Sequence, residues 1–240
     1  MNKITLGISS CLLGNLVRYD GRHKLNEYIT TFFGRYFDLL PVCPEVESGL
    51  SIPREPMVLE GDIDNPILIT QTTRIDLTQH MLTWSKTRCD QLVESKLRGF
   101  IFKSKSPSCG LFGVEIFNQT GDPLFEGRGL FAETFIRRFY MLPVIDEVSI
   151  EDADSRKTFI EHVFVIDHWL SECSTAHPRS LQKFHERFAG LLMSHNIELF
   201  QKCCQLISQI DSYPFDHIIE NYQQTLLKIL SSQTTVRSDF

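Results

Sequence analysis

Apolar runs too short for helices alternate with amphipathic stretches along the chain as far as Glu147. Residues 3–9, Lys-Ile-Thr-Leu-Gly-Ile-Ser, are β-branched and apolar and predict a central strand. Residues 37–42, 100–102 and 142–145 are further apolar runs of strand type. Between them, residues 22–33 set Leu25, Tyr28, Ile29 and Phe32 on one helical face. Residues 76–97 do the same with Leu77, Met81, Trp84, Cys89, Leu92 and Val93, and Gly127-Arg-Gly129 opens a helix through Phe139. Residues 57–71 predict a short β excursion around the turn 61–66, and residues 114–117 and 123–125 flank a surface hairpin turn. Strands and helices in alternation predict an α/β fold, a Rossmann-like parallel sheet with helices on both faces.

After Glu147 the pattern becomes helical throughout. Ser149-Ile-Glu-Asp152 resembles a capping box, and Phe159, Val163, Phe164, Ile166 and Leu170 are core candidates of the helix it begins. Residues 171–178, rich in Ser, Thr and Pro, read as a connection. Leu181, Phe184, Phe188, Leu191 and Leu192 then recur at helical spacing, and two more helices follow to Leu230. The expected division is an α/β domain over 1–148, a connecting helix and linker over 149–178, and a small all-helical domain over 179–240.

Composition narrows the classes. The 240 residues are 42% hydrophobic and 22% charged, ordinary for a globular protein. A net charge of -6 offers no electrostatic footing for a nucleic-acid polymer. No run of about 18 apolar residues occurs, so no membrane span is expected. The N-terminus lacks the apolar centre of a signal peptide and already reads as a strand, which predicts a cytoplasmic protein. In that compartment the seven cysteines are thiols, metal ligands or catalytic groups rather than disulfides.

Three of those cysteines share one context. Cys11 follows the first apolar run, Cys43 the second, and Cys109 the third after the turn-forming segment Lys103-Ser-Lys-Ser-Pro-Ser108. Parallel strands end on one side of their sheet, so the three thiols converge there. Turns into helix N-termini also offer N–H groups that favour thiolate. A structural zinc site closes with four ligands, often in C-x-x-C pairs, which this chain lacks. Three thiolates suit a four-iron cluster with one open iron. Beside Cys43, Glu45 and Glu47 are acid/base candidates or a solvated loop. Ser106 orients a water, hydrogen-bonds a substrate or caps its turn, and Arg54 binds an anion or pairs with a surface carboxylate.

The segments Ser9-Ser-Cys11-Leu-Leu-Gly14, Arg18-Tyr-Asp-Gly21, Cys43-Pro-Glu-Val46, Gly49-Leu-Ser-Ile-Pro-Arg54-Glu-Pro56 and Lys103-Ser-Lys-Ser-Pro-Ser-Cys109-Gly110 together resemble the thiouracil desulfidase family. The resemblance runs over residues 3–147 with every motif in order. It implies a 4Fe–4S cluster held by Cys11, Cys43 and Cys109, whose fourth iron binds the sulfur of a thiolated nucleobase such as 2-thiouracil. It also implies Glu45 and Ser106 as the proton-handling and water-orienting groups of a hydrolytic, non-redox desulfidase acting on a small molecule. A non-catalytic iron–sulfur or thiol-based sensor, or a sulfur carrier with a helical interaction module, is the alternative, and a structural zinc protein the third.

Residues 180–196 are similar to the opening helix of a second bacterial domain, of the kind in YbgA-type proteins, and only part of that domain is matched. His185 and His195 lie 10 positions apart, ~15 Å along one helix, too far to share a metal. They and Cys203 and Cys204 therefore read as structural parts of a helical packing module or homo-oligomer contact.

Overall fold

The computed structural model describes residues 3–118, 120–173 and 177–232. Its contacts divide the chain into two units, one running to Phe159 and the other beginning at Ile160. The strands are β1 (Ile4–Ser9), β2 (Phe37–Val42), β3 (Met57–Gly61), β4 (Pro66–Thr70), β5 (Phe100–Phe102), β6 (Val114–Phe117), β7 (Pro123–Gly127) and β8 (Val144–Asp146). The helices are α1 (Gly34–Tyr36), α2 (Pro44–Glu47), α3 (Thr78–Glu94), α4 (Leu130–Arg138), α5 (Ala153–His168), α6 (Pro178–His195), α7 (Ile197–Ser208) and α8 (Phe215–Ser231).

The first unit is built on a parallel sheet in the order β2-β1-β5-β8. Parallel neighbours need a crossover, and helices supply each one: α1 and the π-turn Ile29–Phe33 before it, α3, and α4. Side chains alternate along each strand, so Gly7, Phe100 and Phe102 share a face that Val42 joins through the register Ser9↔Val42. On that face Phe100 stacks on Phe102 at 4.2 Å and meets Phe135 of α4 edge-on at 4.8 Å. Cys89 and Leu92 of α3 complete the cluster, so Cys89 is the small buried hydrophobe that its helical position predicts. Gly7 is required there, because a Cβ would lie 2.2 Å from the Phe100 ring. On the opposite face Phe33 packs on Phe37 at 5.7 Å and on Phe159 of α5 at 6.3 Å.

Several boundaries differ from expectation for local reasons. The helix foreseen over 22–33 starts late, because the N–H groups of Lys24 and Asn26 donate to the carbonyls of Cys11 and Leu12 at 2.9 and 3.0 Å. Asn26 Oδ1 then caps the helix by accepting from Ile29 N at 3.0 Å. Ser149 does not cap a helix; it opens a short 3₁₀ turn, and Asp152 Oδ2 accepts from Ser155 N at 2.8 Å to start α5. Leu25, Val93 and Phe164, placed on apolar faces by spacing, are exposed. The excursion over 57–71 and the hairpin after residue 113 are not separate. They form one mixed sheet, β4-β3-β6-β7, joined by the parallel pair β3–β6. Gln119, one of the residues expected to form that hairpin's turn, lies outside the described residues.

In the second unit, α6, α7, α8 and the π-turn Trp169–Cys173 that follows α5 bring together Trp169, Phe184 and Tyr222. Trp169 stacks on Tyr222 at 5.7 Å, and Phe184 meets Trp169 edge-on at 5.2 Å. Asn196 ends α6 and caps α7 by accepting from Leu199 N at 2.9 Å. Of the expected connection over 171–178, residues 174–176 lie outside the described residues, as does the tail 233–240. Cys203 is buried as expected, whereas Cys204 is exposed and not a core residue.

Candidate functional site

Cys11, Cys43 and Cys109 lie beyond the C-terminal ends of β1, β2 and β5, three adjacent strands of the parallel sheet. Cys11 sits in the 3₁₀ turn Ser10–Leu13, which closes on Gly14 at φ 89, a conformation that glycine adopts without strain. Cys43 is the N-cap position of α2; its own N–H donates to Glu47 Oε1 at 2.7 Å. Glu47 therefore organises this turn rather than facing the thiols, and Arg88 pairs with its other oxygen at 3.0 Å.

The Cys109 loop is clamped onto the start of α4. The N–H groups of Leu130 and Phe131 donate to the carbonyls of Pro107 and Ser108 at 3.1 and 3.0 Å, and Gly129 N donates to Gly110 O at 2.8 Å. These contacts satisfy donors that every helix start leaves open. The approach demands glycine: a Cβ at Gly129 would lie 2.5 Å from the Ser108 carbonyl, and one at Gly110 2.7 Å from Ser106 O.

Hydrogen bonds join this loop to the one that carries Cys43. Ser106 Oγ accepts from Cys109 N at 3.1 Å and from Ser108 N at 3.3 Å, so Ser106 does cap its turn. The Ser108 hydroxyl donates to Glu45 Oε1 at 2.6 Å, which leaves Ser108 Oγ to accept from Ser106 Oγ at 3.0 Å. The resulting chain runs Ser106 to Ser108 to Glu45. The second Glu45 oxygen accepts from Arg54 Nε at 2.8 Å and from Arg54 Nη2. Arg54 Nη2 also donates to Val17 O at 2.8 Å. This arginine is buried on an inner carboxylate, which resolves its two sequence-level readings against both a free anion site and a surface pair.

The three thiols lie within one another's electrostatic reach. Burial first, and Cys43 second, push the Cys11 thiol up to about 11. Burial raises Cys43 too, against the Val46 N–H that favours its thiolate, and Glu45 adds to the rise. Cys109 is raised well above its ordinary value by burial, opposed by a hydrogen bond from Ser9 and reinforced by Cys43, Cys11 and Glu45. The expectation that helix starts hold these sulfurs as thiolates is thus corrected: burial outweighs the N–H groups at Cys43, and at α4 they are taken by carbonyls.

A group that turned these thiols into thiolates would meet cations already in place. Lys103 and Arg18 both act on Cys11, and Arg54 acts on Cys43. Lys103 Nζ is itself held by Glu147 at 2.5 Å. Three neighbouring sulfurs flanked by half-buried cations fit an iron–sulfur cluster, whose thiolate ligands carry excess negative charge. Among the described residues no three His, Cys, Asp or Glu side chains stand close enough together to hold a single metal ion.

All five residues singled out in the sequence therefore reach the same edge: Cys11, Cys43, Cys109, Glu45 and Ser106. Ser9 and Ser108 were missed. Ser9 is buried, accepts from Lys103 N at 2.9 Å and donates to Cys109, tying the ends of β1 and β5 together. Its signal was present in the Ser9-Ser10 pair at a strand end, and that of Ser108 in the alternating serines of the Cys109 loop.

Comparison with known proteins bears on the same stretch. The family described as 2-thiouracil desulfurase matches residues 6–147, which hold all the residues named at this edge. YbbK of Bacillus subtilis (strain 168), an uncharacterised protein, is 31% identical over 108 residues, 43% of this chain and 71% of YbbK. Among solved structures, the [4Fe-4S]-dependent thiouracil desulfidase TudS matches with a TM-score of 0.51 and 25% identity, over 66% of this chain and 99% of TudS. No helix among the described residues is long and apolar enough to cross a membrane.

Proposed function

The chain belongs to the 2-thiouracil desulfurase family, and from that premise we propose that it removes sulfur from a thiolated nucleobase such as 2-thiouracil, using a 4Fe–4S cluster held by Cys11, Cys43 and Cys109. The observation that carries this reading is the meeting of two half-buried thiols and the buried Cys109 with Glu45, bound through Ser108 to the loop of the third thiol. Bound there, the cluster supplies an iron with an open position, a Lewis acid with affinity for soft thione sulfur.

The rest of the chemistry falls to the protein's own groups. The net change is hydrolytic: the thione carbon exchanges its sulfur for the oxygen of water, and hydrosulfide leaves with no electrons transferred. Glu45 takes a proton from the attacking water and returns it to the ring nitrogen or the departing sulfur. Arg54 keeps Glu45 oriented between proton transfers, through the paired contact to Oε2. Ser106 acts through Ser108, as a positioning residue that fixes the Cys109 loop and the carboxylate together. Lys103 and Arg18, close to Cys11, offset negative charge as hydrosulfide departs.

The test is anaerobic reconstitution with iron and sulfide, followed by incubation with 2-thiouracil. The expected result is release of hydrosulfide and uracil that disappears in Cys109→Ala. An intact cluster without turnover on any thionucleobase would overturn the enzyme reading and leave the sensor or carrier.

A further inference from the structure

A second thiol with its own base lies in the helical unit, and no step of the proposed desulfuration uses it. Cys204 of α7 is exposed, and its Sγ lies 3.5 Å from His185 Nε2 of α6. On the far side of the imidazole, Nδ1 lies 3.0 Å from the Tyr222 hydroxyl of α8. Tyr222 is fully buried, and its hydroxyl hydrogen-bonds the neighbouring thiol, Cys203.

With the Tyr222 oxygen accepting from His185 Nδ1–H, Nε2 carries the lone pair, and that lone pair faces Cys204. The ring is also held flat on Phe200, with centroids 5.2 Å apart and planes 6° from parallel. Burial lowers the His185 pKa, which keeps the imidazole neutral and able to accept a proton. An exposed nucleophile, a base within hydrogen-bond reach and a third group that orients the base are the parts of an activated thiol. Cys203 has the opposite character: it is buried, and burial pushes it up to about 12.

We propose that Cys204 is a reactive thiol, activated by His185 and Tyr222, that undergoes exchange with low-molecular-weight disulfides. His185 Nε2 takes the Cys204 proton. The sulfur then attacks one sulfur of the disulfide; a mixed disulfide forms on Cys204 as the original S–S bond breaks, and the departing thiolate collects the proton from His185. The step needs no oxidant beyond the disulfide itself. Its product adds a bulky group to the exposed face of α7.

The full-length protein, incubated with oxidised glutathione at neutral pH and quenched in acid, tests this. Peptide mapping with fragment ions that separate Cys203 from Cys204 follows the adduct at each cysteine. The expected result is an adduct on Cys204 and none on Cys203, forming about tenfold more slowly in His185→Gln, in line with the loss of thiolate activation. Cys204→Ser removes the adduct. An unchanged Cys204 rate in His185→Gln overturns the proposal. If that variant loses its cooperative melt, the comparison rests on Tyr222→Phe, which keeps the ring and removes only the hydroxyl. A several-fold slower reaction is expected there, and an unchanged rate likewise overturns the proposal. Because the readout is an adduct on α7, its failure is distinguishable from failure of the desulfidase reading.

Discussion

Ser108 donates to Glu45 Oε1 at 2.6 Å across 63 positions of sequence. This bond ties the loop that follows β5 to the short helix that follows β2. It also fixes a direction: with the Ser108 proton committed to the carboxylate, Ser106 must supply the proton of the next bond in the chain. The groups proposed to handle protons and two of the loops proposed to hold the cluster are thereby one connected unit.

Ser108→Ala leaves Glu45 Oε1 without its buried donor. Hydrogen bonds to charged groups contribute about 1.5–3 kcal/mol, and a destabilisation in that range is expected from urea unfolding of the variant. Turnover of 2-thiouracil should fall by about tenfold or more while the iron content of the reconstituted protein is retained. A variant with wild-type turnover would remove Ser108 from the working site.

Arg54→Met leaves the Glu45 carboxyl without its partner and with little solvent, since the two side chains are only 7% and 14% exposed. Removing one partner of such a pair costs about 3–5 kcal/mol. Arg54→Lys should recover only part of this, because an ammonium cannot make the two-nitrogen contact of Nε and Nη2. Denaturant midpoints of the two variants, compared with wild type, measure the difference.

Gly129→Ala drives a methyl group into the Ser108 carbonyl, which lies 2.5 Å from the position of the added carbon. The backbone must yield, and overpacking of this kind costs about 1–3 kcal/mol. The displaced segment carries Cys109, so iron incorporation should drop along with the melting temperature. Stability lost with full iron loading would mean that the clamp on α4 does not position the thiol.

The helical unit should weaken in acid. His162 packs against His195 with ring centroids 5.5 Å apart; burial, and then the charge of His195, push His162 down to about 4. Unfolded histidine titrates near ~6.5, so between the two values the unfolded chain binds a proton that the folded chain does not. This histidine has no effect on stability above that window. As pH falls through it, up to roughly 3 kcal/mol is lost. Urea unfolding at stepwise lower pH should register the loss, and His162→Leu should flatten it. Glu161, which reaches His195 at 3.6 Å, is to be kept in both proteins.

What could be read along the chain was whatever a few neighbouring residues decide. Apolar runs of strand length, the helical spacing between them and the turn residues after them identified β1, β2, β5 and β8 and their parallel sense. Parallel strands all end on the same side, so Cys11, Cys43 and Cys109 were expected at one edge; the strand order that makes β1, β2 and β5 neighbours was decided by the tertiary structure. The tertiary structure decided what passes between segments. The union of two hairpins into one sheet rests on the register Leu59↔Ile116, a long-range pairing without a local signature. The pairing of Arg54 with Glu45, the hold of Ser9 and Ser108 on neighbouring loops, and the approach of His185 to Cys204 likewise join separate elements. So does the protonation of the three thiols, because burial sets it, and burial is a property of the packed molecule rather than of any loop. Hydrogen bonds hold only over a few tenths of an ångström, and packing, not periodicity, brings atoms that close.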